Sequence, residues 1–276
     1  MDNETLRKVQ LAQLEIAKEF RRVCDENEIP YFIDWGSMLG AIRHKGFIPW
    51  DDDMDFGMLR ADYERFLKIA PEKLGEEYFL QTWDTDPSFP NAFAKIRKKG
   101  TVYIEATMEK SNAHNELFID VFPYDVYPNT PKQAKKAGRT IYCCANTLFI
   151  QNKVRPWMHH SSRLKRFLAK CKYIPFWVLS KLIRRDTLKK KYTEAMTCAN
   201  SEKPVYYYGN VKAISCGEHP IPAECYDSMI EMPFENENFK VPVGYDRILT
   251  CLYGDYMTPP PEDKRGNRHG IIELKL

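Results

Sequence analysis

Four aspartates fall within five residues at Asp51-Asp52-Asp53-Met54-Asp55. Like charges packed so closely repel one another unless something cationic sits among them. In an extended strand alternate side chains share a face, which predicts Asp51, Asp53 and Asp55 on one side, about 7 Å apart. Asp52 then points the other way with Met54 and Phe56. Carboxylates so arranged suit a hard cation such as Mg²⁺, which binds through one or two carboxylates together with substrate phosphates. A solvated acidic turn is the alternative reading. The apolar flanks Phe47-Ile48-Pro49-Trp50 and Phe56-Gly57-Met58 argue against it, because they set the acids between buried segments. Upstream, Gly36-Ser37 closes a strand signal and opens a helix signal, so a phosphate can approach backbone N–H groups at the positive end of a helix. Arg43, His44 and Lys45 lie between the turn and the acids, and Arg43 can make the planar, bidentate contact that phosphate favours. Lys95 and Arg97 share a strand face and form a second cationic pair, while Arg268 and His269 either fold back over the site or form a tail.

The elements that must hold these residues are read from periodicity. Val9, Ala12, Ile16, Phe20 and Val23 recur at helical spacing and predict a helix over the first 29 residues. A strand at 31–35 follows, then a helix at 38–44 capped by Ser37, an extended segment at 47–58 that carries the acids, and a helix at 60–70. Further strands are expected at 78–82, 93–97, 102–105 and 117–122, and a helix at 131–151. A basic stretch then runs to about residue 200. The last 75 residues are Pro-rich and irregular, with a strand at 205–208 and a helix near 245–253. Alternating strands and helices favour an α/β or α+β sheet with helices packed on it. The expected organisation is a catalytic core at 1–150, a basic helical segment at 151–200, and a part at 201–276 that completes the same fold and site.

A Gly-Ser turn, a short helix and then paired acids on the next strand resemble the signature of the nucleotidyltransferase fold. The run Trp35-Gly36-Ser37-Met38-Leu39-Gly40-Ala41-Ile42-Arg43-His44-Lys45-Gly46-Phe47-Ile48-Pro49-Trp50-Asp51-Asp52-Asp53-Met54-Asp55-Phe56-Gly57 is more specific. It resembles the core motif of the LicD family, which includes bacterial phosphocholine transferases and fukutin-type transferases. Phe118-Ile119-Asp120-Val121-Phe122-Pro123-Tyr124-Asp125, Tyr253-Gly254-Asp255-Tyr256-Met257 with Pro259, and Arg268-His269 are similar to later parts of that family. The resemblance implies a nucleotidyltransferase-like mixed sheet that moves phosphocholine, or a related phospho-substituent, from a CDP-linked donor such as CDP-choline. The acceptor it implies is a sugar hydroxyl of a cell-surface glycan, teichoic-acid precursor or lipid-linked oligosaccharide. Such folds draw a third acid from a neighbouring strand, and Asp120 fits, because at the end of an apolar strand it is otherwise a costly buried carboxylate. A cap near Pro123 is its alternative role. Asp53, Asp55 and Asp120 are then the expected ligands of Mg²⁺ or Mn²⁺, two-metal sites of this kind stabilising charge on the attacking and leaving oxygens. Asp51 is a further ligand or the base for the acceptor hydroxyl. Gly36, Ser37, Arg43, Lys95, Arg97 and His269 are the expected substrate contacts. Two other readings stay open: transfer of a nucleoside monophosphate by the same acids, and a non-catalytic protein of the membrane surface.

The composition bounds these readings. With 276 residues, 43% of them hydrophobic, the chain can bury a full core. Its formal charge of +3 is unevenly spread: residues 153–192 carry 13 Lys or Arg against Asp186 alone, a balance of +12, and leave −9 for the rest. A basic block mixed with Trp157, Phe167, Tyr173, Phe176, Trp177 and Leu179 suits contact with an anionic membrane, the alternative being helices that pack on the core. An acidic remainder and the lack of a recognition motif argue against nucleic acid. Eight scattered cysteines and a polar start point to the cytoplasm, with peripheral contact at the inner face of the membrane. No uncharged stretch is long enough to span a bilayer. Cys216, His219 and Cys225 offer soft ligands for zinc without an obvious fourth. Tyr31, Trp35, Trp50 and Trp83 are candidates for an aromatic cage around a quaternary ammonium, or for core.

Overall fold

The computed structural model describes residues 1–160, 162–209, 220–266 and 270–276. Helix α1 (Asn3–Glu26) starts at Asp2, whose carboxylate accepts the Thr5 N–H, and its apolar stripe from Leu6 to Cys24 is buried. Strands β1 (Phe32–Ile33), β2 (Asp55–Leu59), β3 (Tyr78–Gln81), β4 (Ala94–Lys98) and β6 (Phe118–Val126) form a mixed sheet in the order β1-β2-β6-β4-β3. Only β2 and β6 run parallel; the other neighbours are antiparallel. On the edge of β6 that β4 leaves free beyond Val121, β7 (Tyr206–Tyr208) pairs with Asp125 and Val126, and β8 (Ile221–Pro222) pairs with β7. The fold is thus the α/β arrangement that the alternating pattern predicted.

One cluster of aromatic rings fixes α1 on the sheet. Phe20 lies 4.5 Å from Phe56 of β2, 5.1 Å from Tyr31 and 5.3 Å from Phe66 of α3 (Arg60–Lys73), measured between ring centroids. Tyr31 is therefore core, and its expected cage role is withdrawn. A second cluster joins α4 (Pro131–Gln151) and α7 (Arg185–Met196) through Ile141, Leu148, Leu188 and Tyr192, with Tyr208 of β7 packed against it. Trp83 belongs there, its ring edge-on to Tyr192 at 5.7 Å, and not in a cage. Between these helices, α5 (Arg163–Lys172) and α6 (Ile174–Leu182) bury no residue.

The irregular C-terminal part holds more structure than its composition suggests. Strands β9 (Met229–Phe234) and β10 (Glu237–Pro242) form a hairpin, and β11 (Ile271–Lys275) pairs with β5 (Val102–Glu105). The hairpin escapes a sequence reading because its turn is Glu235-Asn236 in place of the usual Asn-Gly, and because Pro233 and Pro242 lie in its strands. Glu235 adopts φ +58°, and the turn is held from outside: Arg7 binds the Glu235 carboxylate, which also accepts the Phe47 N–H. The expected helix near 245–253 is α8 (Tyr245–Tyr253).

Three local expectations need correction around the acids. The strand expected at 31–35 is only two residues long, because Asp34 leaves it to cap α2 (Trp35–His44) by accepting the Trp35 N–H. Asp34, not Ser37, is the cap, and Gly36-Ser37 form the first turn of the helix. The extended segment expected at 47–58 becomes a strand only at Asp55, so Asp51 and Asp53 lie in the preceding loop rather than on one strand face. Burial of Asp52 explains the break: Tyr103 donates its hydroxyl to Asp52 Oδ2 at 2.5 Å, and Gln13 binds the Asp52 carbonyl.

Candidate active site

The site rests on one row across three strands. Asp55 of β2 stands opposite Asp120 of β6, and Asp120 stands opposite Lys95 of β4. Residues paired in this way present their side chains on the same sheet face. Lys95 Nζ lies 2.6 Å from Asp120 Oδ1, outside hydrogen-bonding angles, and 3.2 Å from the centroid of the Phe118 ring. Arg97, two residues on, flanks the same ring and gives its guanidinium to the Gln81 side chain and the Glu116 carbonyl. Burial pulls Arg97 down to about 10. Lys95 and Arg97 thus share a face as expected, but Lys95 meets the acids while Arg97 ties β4 to β3.

Helix α2 brings the second set of residues to this row. The Ser37 hydroxyl accepts the Asp55 N–H at 2.9 Å, and the Asp34 N–H donates to the Asp55 carbonyl at 2.9 Å, so the start of α2 is stitched to the start of β2. Gly36 faces the loop: a Cβ on it would come 2.8 Å from Asp51 Oδ2. The structure therefore brings Gly36, Ser37, Asp51, Asp55, Asp120 and Lys95 together. Arg43, on the last turn of α2, donates to the Tyr256 carbonyl at 2.6 Å and to His44 at 3.0 Å. Trp50 packs edge-on to His44 and lies under the Arg265 guanidinium. Arg268, His269, Cys216 and His219 lie outside the described residues. Cys225 is buried against Gly244.

The electrostatics follow from this crowding. Burial, and then the charges of Asp53, Asp120, Asp34 and Asp51, hold the Asp55 carboxyl well above the ordinary carboxylate range. Burial also raises Asp120, with Lys95 and Arg97 opposing, and lowers Lys95, with Asp120 opposing. Asp34, fully buried, is pushed up to about 7 by desolvation against the hydrogen bonds from Tyr124 and Trp35. Such a cluster is strained toward positive charge, and its all-oxygen donors suit a hard divalent ion. Among the described residues no three His, Cys, Asp or Glu side chains already converge as a ligand set, so the fit is one of charge and donor type.

Residues from the C-terminal part complete the surroundings. Tyr253 ends α8, and although 42% of it is exposed, burial and the carboxylates of Asp55, Asp34, Asp51 and Asp53 raise its hydroxyl pKa. Arg43 shares this electrostatic neighbourhood with Tyr253 and Arg265. The bonds of Asp34 to Tyr124 and of Tyr103 to Asp52 had no local signal, since they join residues distant in the chain.

Comparison with known proteins decides the family. The family model described as LicD/FKTN/FKRP, nucleotidyltransferase domain, matches residues 28–140, which contain α2 and strands β1 to β6. The chain is 34% identical over 276 residues to the lipopolysaccharide cholinephosphotransferase LicD of Haemophilus influenzae, covering 98% of this chain and 97% of that protein. This chain belongs to the LicD family. It is also 25% identical over 121 residues to the human ribitol 5-phosphate transferase FKRP, 44% of this chain and 21% of that protein. As a LicD-type phosphotransferase it is an enzyme, and the row Asp55, Asp120 and Lys95 lies inside the matched region. No helix among the described residues is long and apolar enough to cross a membrane.

Proposed function

We propose that the protein transfers phosphocholine, or a closely related substituted phosphate, from a CDP-linked donor to a sugar hydroxyl of a cell-surface glycan precursor. The observation that carries this reading is the buried acid row, Asp55 beside Asp120, with Asp51 seated against Gly36 at the start of α2. Such an arrangement serves a reaction in which negative charge builds on phosphate oxygens. Likeness over nearly the full chain to a cholinephosphotransferase supports the phosphocholine head group, and likeness over 121 residues to a ribitol 5-phosphate transferase supports a shared phosphate chemistry.

Magnesium or manganese would be held by Asp53, Asp55 and Asp120, and would supply positive charge to the cluster and to the donor phosphates. The protein's own residues do the rest. Asp51 receives the proton of the acceptor hydroxyl. That oxygen bonds to the phosphorus bearing the substituent, the bond from this phosphorus to the bridging oxygen breaks, and CMP leaves with the electron pair. Gly36 leaves room for the Asp51 carboxylate, Ser37 fixes the height of Asp55, and Arg43 orients the donor phosphates. Lys95 keeps Asp120 in place on the sheet face.

The test is incubation of the purified protein with Mg²⁺, a glycan acceptor and a set of CDP-linked donors, with product mass and CMP measured. Release of CMP with gain of a substituted phosphate is expected, together with a loss of about a thousandfold for Asp55→Asn, the scale of removing one element of preorganised charge. Consumption of nucleoside triphosphates alone, with gain of a nucleotide and release of pyrophosphate, would replace this reading by nucleotidyl transfer.

A further inference from the structure

We infer that α5 and α6 form a docking surface for an anionic lipid bilayer. Each helix turns an apolar stripe to solvent. On α5 the stripe is Leu164, Phe167 and Leu168, and on α6 it is Ile174, Trp177, Val178 and Leu182, spaced three and four residues apart. All seven are between 45% and 74% exposed. Seven large apolar side chains within nineteen residues are far denser than the scattered ones expected on a soluble surface.

The protein does not need these stripes for its own packing. Helix α6 is anchored by its other side, where Phe176 meets Tyr142 of α4 and the Gln151 amide donates to the carbonyls of Ser180 and Ile183. Its inward face is thus accounted for, and Trp177 and Val178 look away from it. Helix α5 contributes nothing to either core cluster.

Charge identifies the occupant. Among the described residues, the ion pairs of this region use Arg155, Arg184, Lys189 and Lys190. Arg163, Lys165, Lys170, Lys172 and Lys181 join none. Five unneutralised cations on either side of a Leu, Phe and Trp stripe match what a bilayer interface offers: acyl chains for the rings, and phosphates for the bases. A protein partner fits less well, because interface cores are depleted in lysine. A second copy would bring two surfaces of the same sign together. The inference does not rest on phosphotransfer, since binding is read without turnover.

Co-sedimentation of the full chain with phosphatidylcholine vesicles, with and without phosphatidylglycerol, tests it. The protein is expected to pellet with the anionic vesicles and at least tenfold less with the neutral ones. Phe167→Ser/Trp177→Ser should stay in the supernatant. Lys165→Ala/Lys170→Ala/Lys172→Ala should bind roughly a hundredfold more weakly, about fivefold for each charge near the surface. All the altered groups are exposed, and circular dichroism with thermal melts verifies that both variants fold. Wild type that ignores anionic vesicles, or variants that pellet like wild type, would overturn the inference. So would a dimer in sedimentation velocity that Phe167→Ser/Trp177→Ser splits, because the face would then join two copies.

Discussion

Replacing Asp34 by asparagine should stabilise the protein, and by more as the pH rises. Asp34 is fully buried, its Oδ1 accepting the Trp35 N–H at 2.8 Å and its Oδ2 the Tyr124 hydroxyl at 2.7 Å. Burial outweighs both bonds and lifts its pKa from 3.8 to about 7. The folded state therefore holds this proton more tightly than the unfolded one. Its contribution to stability is complete below the unfolded pKa and is lost as pH rises through the folded one. Each pH unit well inside that window is worth about 1.4 kcal/mol and the slope halves at the folded pKa, so this carboxyl alone removes about 2 kcal/mol between pH 5 and 7. Asparagine has no proton to lose. Its Oδ1 can keep the bond to Trp35 and its amide can donate to the Tyr124 oxygen, and it is as good a helix cap as aspartate. Urea unfolding followed by circular dichroism, for both proteins from pH 5 to 8 with a chelator present, measures the difference directly. The other carboxylates titrate in both proteins and largely cancel. A gap between variant and wild type that widens by about 2 kcal/mol from pH 5 to pH 7 and levels off above it is expected. A gap that stays constant with pH would refute the reasoning.

Two further substitutions probe the site. Gly36→Ala puts a Cβ 2.8 Å from Asp51 Oδ2, the far end of a flexible side chain. It should change stability by less than about 1 kcal/mol while lowering turnover about a hundredfold by displacing the Asp51 carboxylate. Melts and CMP release read the two effects separately, and normal turnover would remove Asp51 from the reaction. Lys95→Met leaves Asp120 buried without its cation, at a cost of about 3–5 kcal/mol near neutral pH. Denaturant melts should show that cost shrinking in acid as Asp120 takes up a proton, and a loss below about 1 kcal/mol would mean that the pair contributes little.

Much of the fold was legible because periodicity is a local signal. The helical spacing of Val9, Ile16, Phe20 and Val23 marks the buried side of α1, and the bounds expected for α4 and α8 match the structure. Elements set by distant contacts were not legible. Strand β11 exists because β5 offers it an edge, and the β9–β10 turn is held by Arg7 and Phe47, more than 180 residues away in the chain. Nothing in the sequence around Glu235 announces either partner. Strand β1 was overestimated for a related reason: Asp34 can continue a strand or cap a helix, and its bond to Tyr124, 90 residues on, favours the cap.

The site divides in the same way. Residue type and spacing exposed Gly36, Ser37 and the aspartates, since four acids between apolar flanks have few ordinary uses. Alternation then assigned them to one strand face, but the way they gather depends on register. Asp120 faces Asp55, and Lys95 faces Asp120, only because β2, β6 and β4 align at those positions. A slip of one residue in β6 would turn Asp120 to the other face of the sheet and present Val121, an apolar core residue, to the acids. The register is therefore guarded by burial of Ile119 and Val121, which makes the core of the sheet the element that aims the chemistry. Asp52 follows the same logic from the opposite side. Its bond to Tyr103 draws one carboxylate out of the cluster and breaks the strand, and Asp51 is left against Gly36.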